Sequence, residues 1–115
     1  MQLRGNVRII PTVDDSIVQS SVHVRLLDVT RADASAETLA EVTLKDVSLT
    51  AGEPIDFVLD NVGSLDARNT YSLEAHVDID GSGDVAMGDY RTMEHFDVSH
   101  DTAGEYHPLV CRRVD

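Results

Sequence analysis

The chain has 115 residues, one cysteine and a formal net charge of -12 at neutral pH. This length is enough for one domain with a real core, and one cysteine excludes an internal disulfide. The negative charge disfavours nucleic acid and anionic membranes as partners, because both are polyanions. No apolar run is long enough to cross a membrane as a helix.

The acidic residues are mostly aspartate, 15 Asp against 6 Glu, and Lys45 is the only lysine. Asp-rich, Lys-poor surfaces resemble those of proteins from salt-loaded cytoplasms, where ionic strength screens the repulsion between like charges. We therefore expect a halophilic protein. The N-terminus carries no hydrophobic signal segment and no lipid-accepting cysteine. This predicts a cytoplasmic protein if Met1 is the native start, and an exported one otherwise.

Short runs of β-branched and apolar residues alternate with polar residues along the chain, a pattern typical of β-strands. The runs, in chain order, are Leu3–Ile10, Ser21–Val29, Thr38–Val47, Pro54–Asp60, Thr70–Val77, Tyr90–Val98 and Tyr106–Val114. Pro108 interrupts the last run and predicts an edge strand. Together they predict one all-β domain over residues 1–115, an immunoglobulin-like β-sandwich of about seven short strands.

The acidic segment from Asp78 to Asp89 is the only stretch whose residue spacing indicates a particular kind of site. Oxygen-bearing side chains occupy loop positions one, three, five, seven and twelve, and glycine occupies position six. This spacing is close to that of calcium-binding loops, here between two strands. The predicted calcium ligands are Asp78, Asp80, Ser82, Asp84 (through its carbonyl) and Asp89. The alternative is an ordinary acidic hairpin in an aspartate-rich protein.

Motifs of known catalytic chemistry are missing: there is no G-x-S-x-G, no phosphate-binding glycine loop and no H-E-x-x-H. His23 and His76 fall at outward strand positions and are predicted to be surface side chains, with no compact set of zinc ligands. Cys111 is predicted to be a small apolar residue near the chain end, the alternative being an intermolecular disulfide. The sequence favours a non-enzymatic module that binds another protein through an exposed strand edge. A hydrolase that uses acidic residues without a recognisable motif is the alternative.

The segment Val22–Ala34 reads V-H-V-R-L-L-D-V-T-R-A-D-A, and an A-E-V-T strand follows at residues 40–43. Further along, P-I-x-F begins at Pro54 and N-x-Y-x-L at Asn69. This pattern resembles the small bacterial lipoproteins related to the type III secretion pilotin, also called the lipoprotein chaperone domain. The resemblance implies a β-sandwich, an outer-membrane anchor on an N-terminal lipidated cysteine, and a secretin subunit as binding partner. The chain has no such cysteine near Met1, and the acidic loop is not part of the family pattern.

Overall fold

The computed structural model describes residues 2–10, 17–31, 35–49, 53–79 and 88–114. These residues form strands and turns without a helix, which confirms the all-β prediction. The strands are β1 (Leu3–Ile10), β2 (Ile17–Asp28), β3 (Glu37–Leu49), β4 (Ile55–Leu59), β5 (Tyr71–Asp78), β6 (Tyr90–Arg91), β7 (Phe96–Val98) and β8 (Tyr106–Arg113). Within the described ranges there is no helix of the length and apolarity needed to cross a membrane.

All eight strands belong to one sheet, in the order β3-β2-β5-β6-β8-β1-β4, with β7 also paired to β5. An immunoglobulin-like sandwich has two separate sheets. Here Tyr90 pairs with both Val77 and Arg113, so the short strand β6 joins the two halves through backbone ladders. The predicted sandwich is therefore corrected to a nearly closed, barrel-like sheet.

The predicted strand Tyr90–Val98 is divided into β6 and β7 because Thr92 leaves the ladder. The Thr92 backbone N–H donates to the carbonyl of Ala75 at 3.0 Å. The Ala75 N–H donates to the Thr92 hydroxyl at 3.2 Å, so a side chain takes the place of a backbone acceptor. Pairing with β5 resumes at Phe96, opposite Leu73.

The last strand is not the edge strand that Pro108 predicted. β8 runs parallel to β1, with Pro108 opposite Asn6, and its residues Arg112 and Arg113 pair with β6. Pro108 lies on the part of β8 for which the described residues give a ladder on one side only, the kind of position at which strands tolerate proline. A parallel pair between the first and last strands is a non-local contact, which strand periodicity does not report.

The inward residues of both halves form one apolar core. Its largest fully buried members are Leu3, Leu26, Leu59, Leu73 and Leu109. Cys111 lies in this core, and burial raises the pKa of its thiol to about 12. This agrees with the prediction of a small apolar residue, and an intermolecular disulfide would require the core to open.

Gly5 is the position where β1 and β8 come closest. A Cβ atom there would overlap the carbonyl oxygen of His107 and press on the ring of Phe57. We expect Gly5→Ala to lower the free energy of unfolding by about 1–3 kcal/mol, because the backbone of β8 must shift to admit the methyl group. Chemical denaturation measures this change.

Gly63→Ala is the matched control, since a Cβ atom at Gly63 meets no atom within 4 Å. Its free energy of unfolding should change by less than about 0.5 kcal/mol. Equal stability of the two variants would contradict the close parallel approach of β1 and β8.

Candidate functional site

Three side chains that could bind a metal converge at the end of β5: His76, Asp78 and Asp89. Each offers one ligand atom, and these atoms lie within 4.8 Å of one another. His76 and Asp78 are two residues apart on β5 and therefore project to the same face of the sheet. Asp89 joins them because it directly precedes β6, which pairs antiparallel with β5.

The backbone on both sides of Asp89 is fixed by the end of the chain that follows β8. Val114 donates its N–H to the carbonyl of Asp89 and accepts the N–H of Gly88, both at 2.8 Å. Gly88 has a φ of 94°, a conformation that glycine adopts without the strain a Cβ would cause. This turn delivers the Asp89 carboxylate to β5.

The two carboxylates are almost completely buried, Asp78 at 2% and Asp89 at 1% exposure. Asp89 accepts the backbone N–H of Ile79 at 2.9 Å, and its other oxygen lies 2.9 Å from Nε2 of His76. The His76 side chain is 12% exposed. Buried carboxylates need hydrogen-bond donors or cations, and Asp89 has donors from both the backbone and an imidazole.

The structure tests the predicted calcium ligands only in part. Asp78 and Asp89 are brought together, whereas Asp80, Ser82 and Asp84 lie outside the described residues. His76 was predicted to be a surface side chain, and this is wrong because it is largely buried beside Asp89. The spacing His76-x-Asp78 on a strand could have indicated that the two share a face.

The His76 ring also stacks on the ring of His23, with 5.7 Å between centroids and 26° between planes. The two residues are cross-strand partners on β5 and β2, and Nδ1 of His23 lies 3.1 Å from the Thr43 hydroxyl oxygen. His76 is thus held from one side by an aromatic neighbour and from the other by a carboxylate. This leaves the imidazole with a defined orientation toward the two aspartates.

The donor set is one imidazole nitrogen and two carboxylates. Calcium prefers oxygen ligands throughout, while imidazole with carboxylate suits zinc, manganese and related ions. The same contacts also make a self-sufficient hydrogen-bond network that stabilises the turn without an ion. Calcium binding therefore stays a prediction.

The hollow at the end of the β2–β3 pair does not favour acid catalysis. It is bounded by Asp28 and Glu37. The hydroxyl and backbone N–H of Thr30 donate to Asp28 and lower the pKa of its carboxyl group. A general acid needs the opposite shift, so the hydrolase alternative finds no support at this hollow.

Comparison with known proteins gives a family and a fold. A family model described as "Type III secretion system lipoprotein chaperone (YscW)" matches residues 3–91. The structure is similar to that of an alternative pilotin from the type II secretion system of Vibrio cholerae, with a TM-score of 0.74 and 24% sequence identity. The match covers 100% of this chain and 97% of that chain, and at this identity it shows the fold. No curated protein matches the sequence.

The buried contacts of Asp89 predict a stability effect that an exposed counterpart lacks. Asp89→Ala leaves the Ile79 N–H without its acceptor and should cost about 1–3 kcal/mol of unfolding free energy. The control is Asp97→Ala, because Asp97 forms a similar contact with His95 at 3.4 Å but both side chains are more than half exposed. Asp97→Ala should lower the free energy of unfolding by less than about 0.5 kcal/mol.

Both variants are unfolded with urea in the presence of a chelator, so that no ion contributes. A more stable Asp89→Ala protein would contradict this account, since it would mean that repulsion between Asp78 and Asp89 outweighs the hydrogen bonds.

Proposed function

The chain belongs to the family of type III secretion system lipoprotein chaperones, and from that premise we propose that it is a non-enzymatic module that binds another protein. The family match over residues 3–91, which include β1 to β6, is the observation that carries the proposal. A secretin subunit is the proposed partner, in line with the resemblance to pilotins. The solved structure that it resembles is itself a pilotin of a type II secretion system, which supports a role in secretion.

A strand edge is the proposed means of binding, and β4 is the better of the two end strands. In the described part of the sheet, β3 pairs only with β2 and β4 only with β1. The β2–β3 pair contains register shifts, and Asp46 in β3 has a positive φ of 55°. Such irregularities block further strand addition. The register of β4 against β1 is regular from the pair Leu3 and Leu59 to the pair Val7 and Ile55. The part of the outer edge of β4 that β3 does not approach therefore suits β-augmentation.

Affinity capture from the native organism tests protein binding. The tagged product of the intact gene should retain one protein in near-stoichiometric amount, and we expect that protein to be an outer-membrane component of a secretion system. A tagged protein of similar size and negative charge is the control, because a chain of net charge -12 attracts cations and basic proteins without specificity.

Recovery of the same proteins with both baits would contradict specific binding. Fractionation of the same cells reports the compartment. The salt preference also stays a prediction.

We also propose that a divalent cation binds between His76, Asp78 and Asp89. The supporting observation is the convergence of two nearly buried carboxylates and an imidazole within 4.8 Å. A cation would remove the repulsion between the two carboxylates, which is costly at low exposure. The loop pattern favours calcium with Asp80, Ser82 and Asp84 as further ligands, whereas His76 favours zinc or manganese.

Thermal melts at fixed ionic strength distinguish these ions, since salt alone also stabilises so acidic a chain. At a free concentration about a hundred times Kd, a bound ion adds about 2.7 kcal/mol. If calcium binds in the loop, calcium should raise Tm of the wild-type protein. This rise should be absent in Asp80→Ala and unchanged in His76→Gln. If zinc or manganese binds at the cluster, that ion should raise Tm of the wild-type protein, and the rise should be absent in His76→Gln.

Asp97→Ala is the control in both cases, since it removes one exposed carboxylate on β7, which pairs with the start of β5 and not with the end that carries the cluster. Magnesium should do less than calcium, because it sheds water reluctantly. Equal melting temperatures in each ion and in chelator would leave the cluster as a hydrogen-bond network alone.

A further inference from the structure

The outward side chains of β4, β1 and β8 form one continuous surface. The sheet registers place Arg4 between Val58 and Tyr106, and Arg8 beside Val110. Ile10 lies opposite Arg112 one step further along β1. We call this surface the basic-apolar face and define it by Arg4, Arg8, Ile10, Val58, Tyr106 and Arg112.

Large apolar side chains are concentrated on this face. Ile10 is 43% exposed, Val58 40% and Tyr106 55%. Only two other large apolar side chains of the described residues are exposed, Leu39 and Met93. Val58 and Tyr106 flank Arg4 and lie close together, whereas Ile10 lies six residues further along β1. Clustered exposed apolar area indicates an interaction site more than single residues do.

The charge of the face is opposite to that of the molecule. The chain has 21 acidic and 9 basic residues, yet three arginines lie here. Arg4 and Arg8 form no ion pair with any residue in the described ranges, although carboxylates are abundant in the chain. Arg112 reaches Glu94 at 3.5 Å across two exposed side chains, a weak contact.

Asp56 is the acidic residue that projects between Arg4 and Arg8, and it accepts a hydrogen bond from Tyr106. Asp56 lies opposite Asn6, beside Arg4 and Arg8 along the β1–β4 pair. It accepts a hydrogen bond from the Tyr106 hydroxyl at 3.0 Å, across β1. This bond holds the Tyr106 ring over the strand, and among the described residues neither Arg4 nor Arg8 forms an ion pair with Asp56.

We propose that the basic-apolar face docks an acidic segment of the protein partner that also carries apolar residues. The inference rests on the proposed protein-binding function and adds where the partner contacts the chain and what its chemistry is. Arginine and tyrosine are the residues most enriched among interface anchors. Complementary charge on the partner would also steer its approach to this basic face of an acidic molecule. The face adjoins the outer edge of β4, so both can contact one partner.

An anionic membrane would present similar charges to the same arginines. The whole-molecule charge of -12 opposes approach to such a surface, and a protein segment presents its acids locally without that cost. A second copy of this chain is equally acidic, so two copies repel each other over most of their surfaces. These considerations favour a separate protein segment.

The test uses synthetic peptides of equal length and apolar content that carry either Glu or Lys at every charged position. Each is made in a helix-forming and a strand-forming order, so the comparison reports charge and not conformation. Binding is followed by fluorescence anisotropy at about 0.15 M ionic strength. We expect at least one Glu peptide to bind and both Lys peptides to fail.

Three variants locate the binding. The double variant Arg4→Glu/Arg8→Glu should lower the affinity for the Glu peptide at least about tenfold. The double variant Ile10→Ser/Val58→Ser should lower this affinity by a similar factor. Arg31→Glu with Arg68→Glu makes the same change in net charge on exposed loop residues and should change the affinity less than about twofold. Circular dichroism and melting establish that each variant is folded before binding is measured.

Several outcomes would overturn the inference. They are no binding of either Glu peptide, equal binding of Lys peptides, and equal losses in the Arg4/Arg8 and Arg31/Arg68 variants. Wild-type binding to phosphatidylglycerol vesicles that is lost in the Arg4/Arg8 variant would assign the face to a membrane. Concentration-dependent sedimentation that is lost in the same variant would assign it to a second copy. None of these results affects the capture experiment, which tests the proposed protein-binding function independently of the face.

Discussion

The parallel ladder between β1 and β8 joins the two ends of the chain, and the rest of the sheet is arranged around it. β1 holds β4 on its other side, and β8 holds β6, through which the sheet continues to β5 and β2. The ladder requires the close approach at Gly5, where any side chain would meet the backbone of His107. Without this pairing, β1 and β4 would have no hydrogen-bonded connection to the other described strands.

The same ladder creates the surface on which the partner is proposed to dock. Arg8 lies on the first strand and Arg112 on the last strand, yet these two strands are neighbours in the sheet and both side chains project from the same surface. The acidic cluster is a second consequence, since Val114, just beyond β8, fixes the backbone of Asp89. The basic-apolar face and the cluster of His76, Asp78 and Asp89 therefore both depend on β8 and on Val114, which follows it.

Local patterns in the sequence predicted the strands well and their arrangement poorly. Alternation gave the bounds of β1 as Leu3–Ile10, because its inward residues are apolar and its outward residues are mostly charged or polar. The break at Thr92 was missed because it depends on a hydroxyl that replaces a backbone acceptor on another strand. The pilotin resemblance gave the family, but neither it nor periodicity reports that β6 links the two halves into one sheet. Asp78 and Asp89 were predicted as neighbours from loop spacing, whereas the burial of His76 arises from strands distant in sequence.

The central claim is that the partner contacts the face beside β4 and not the outward side of the other end strand, β3. Val58 and Leu39 are matched probes, since both are 40% exposed and they lie on the two end strands. A photo-crosslinking residue is placed at each position in turn, in the otherwise intact protein in its native cells. The account predicts a crosslink to one protein from position 58 and none from position 39. A crosslink from position 39 alone would contradict it.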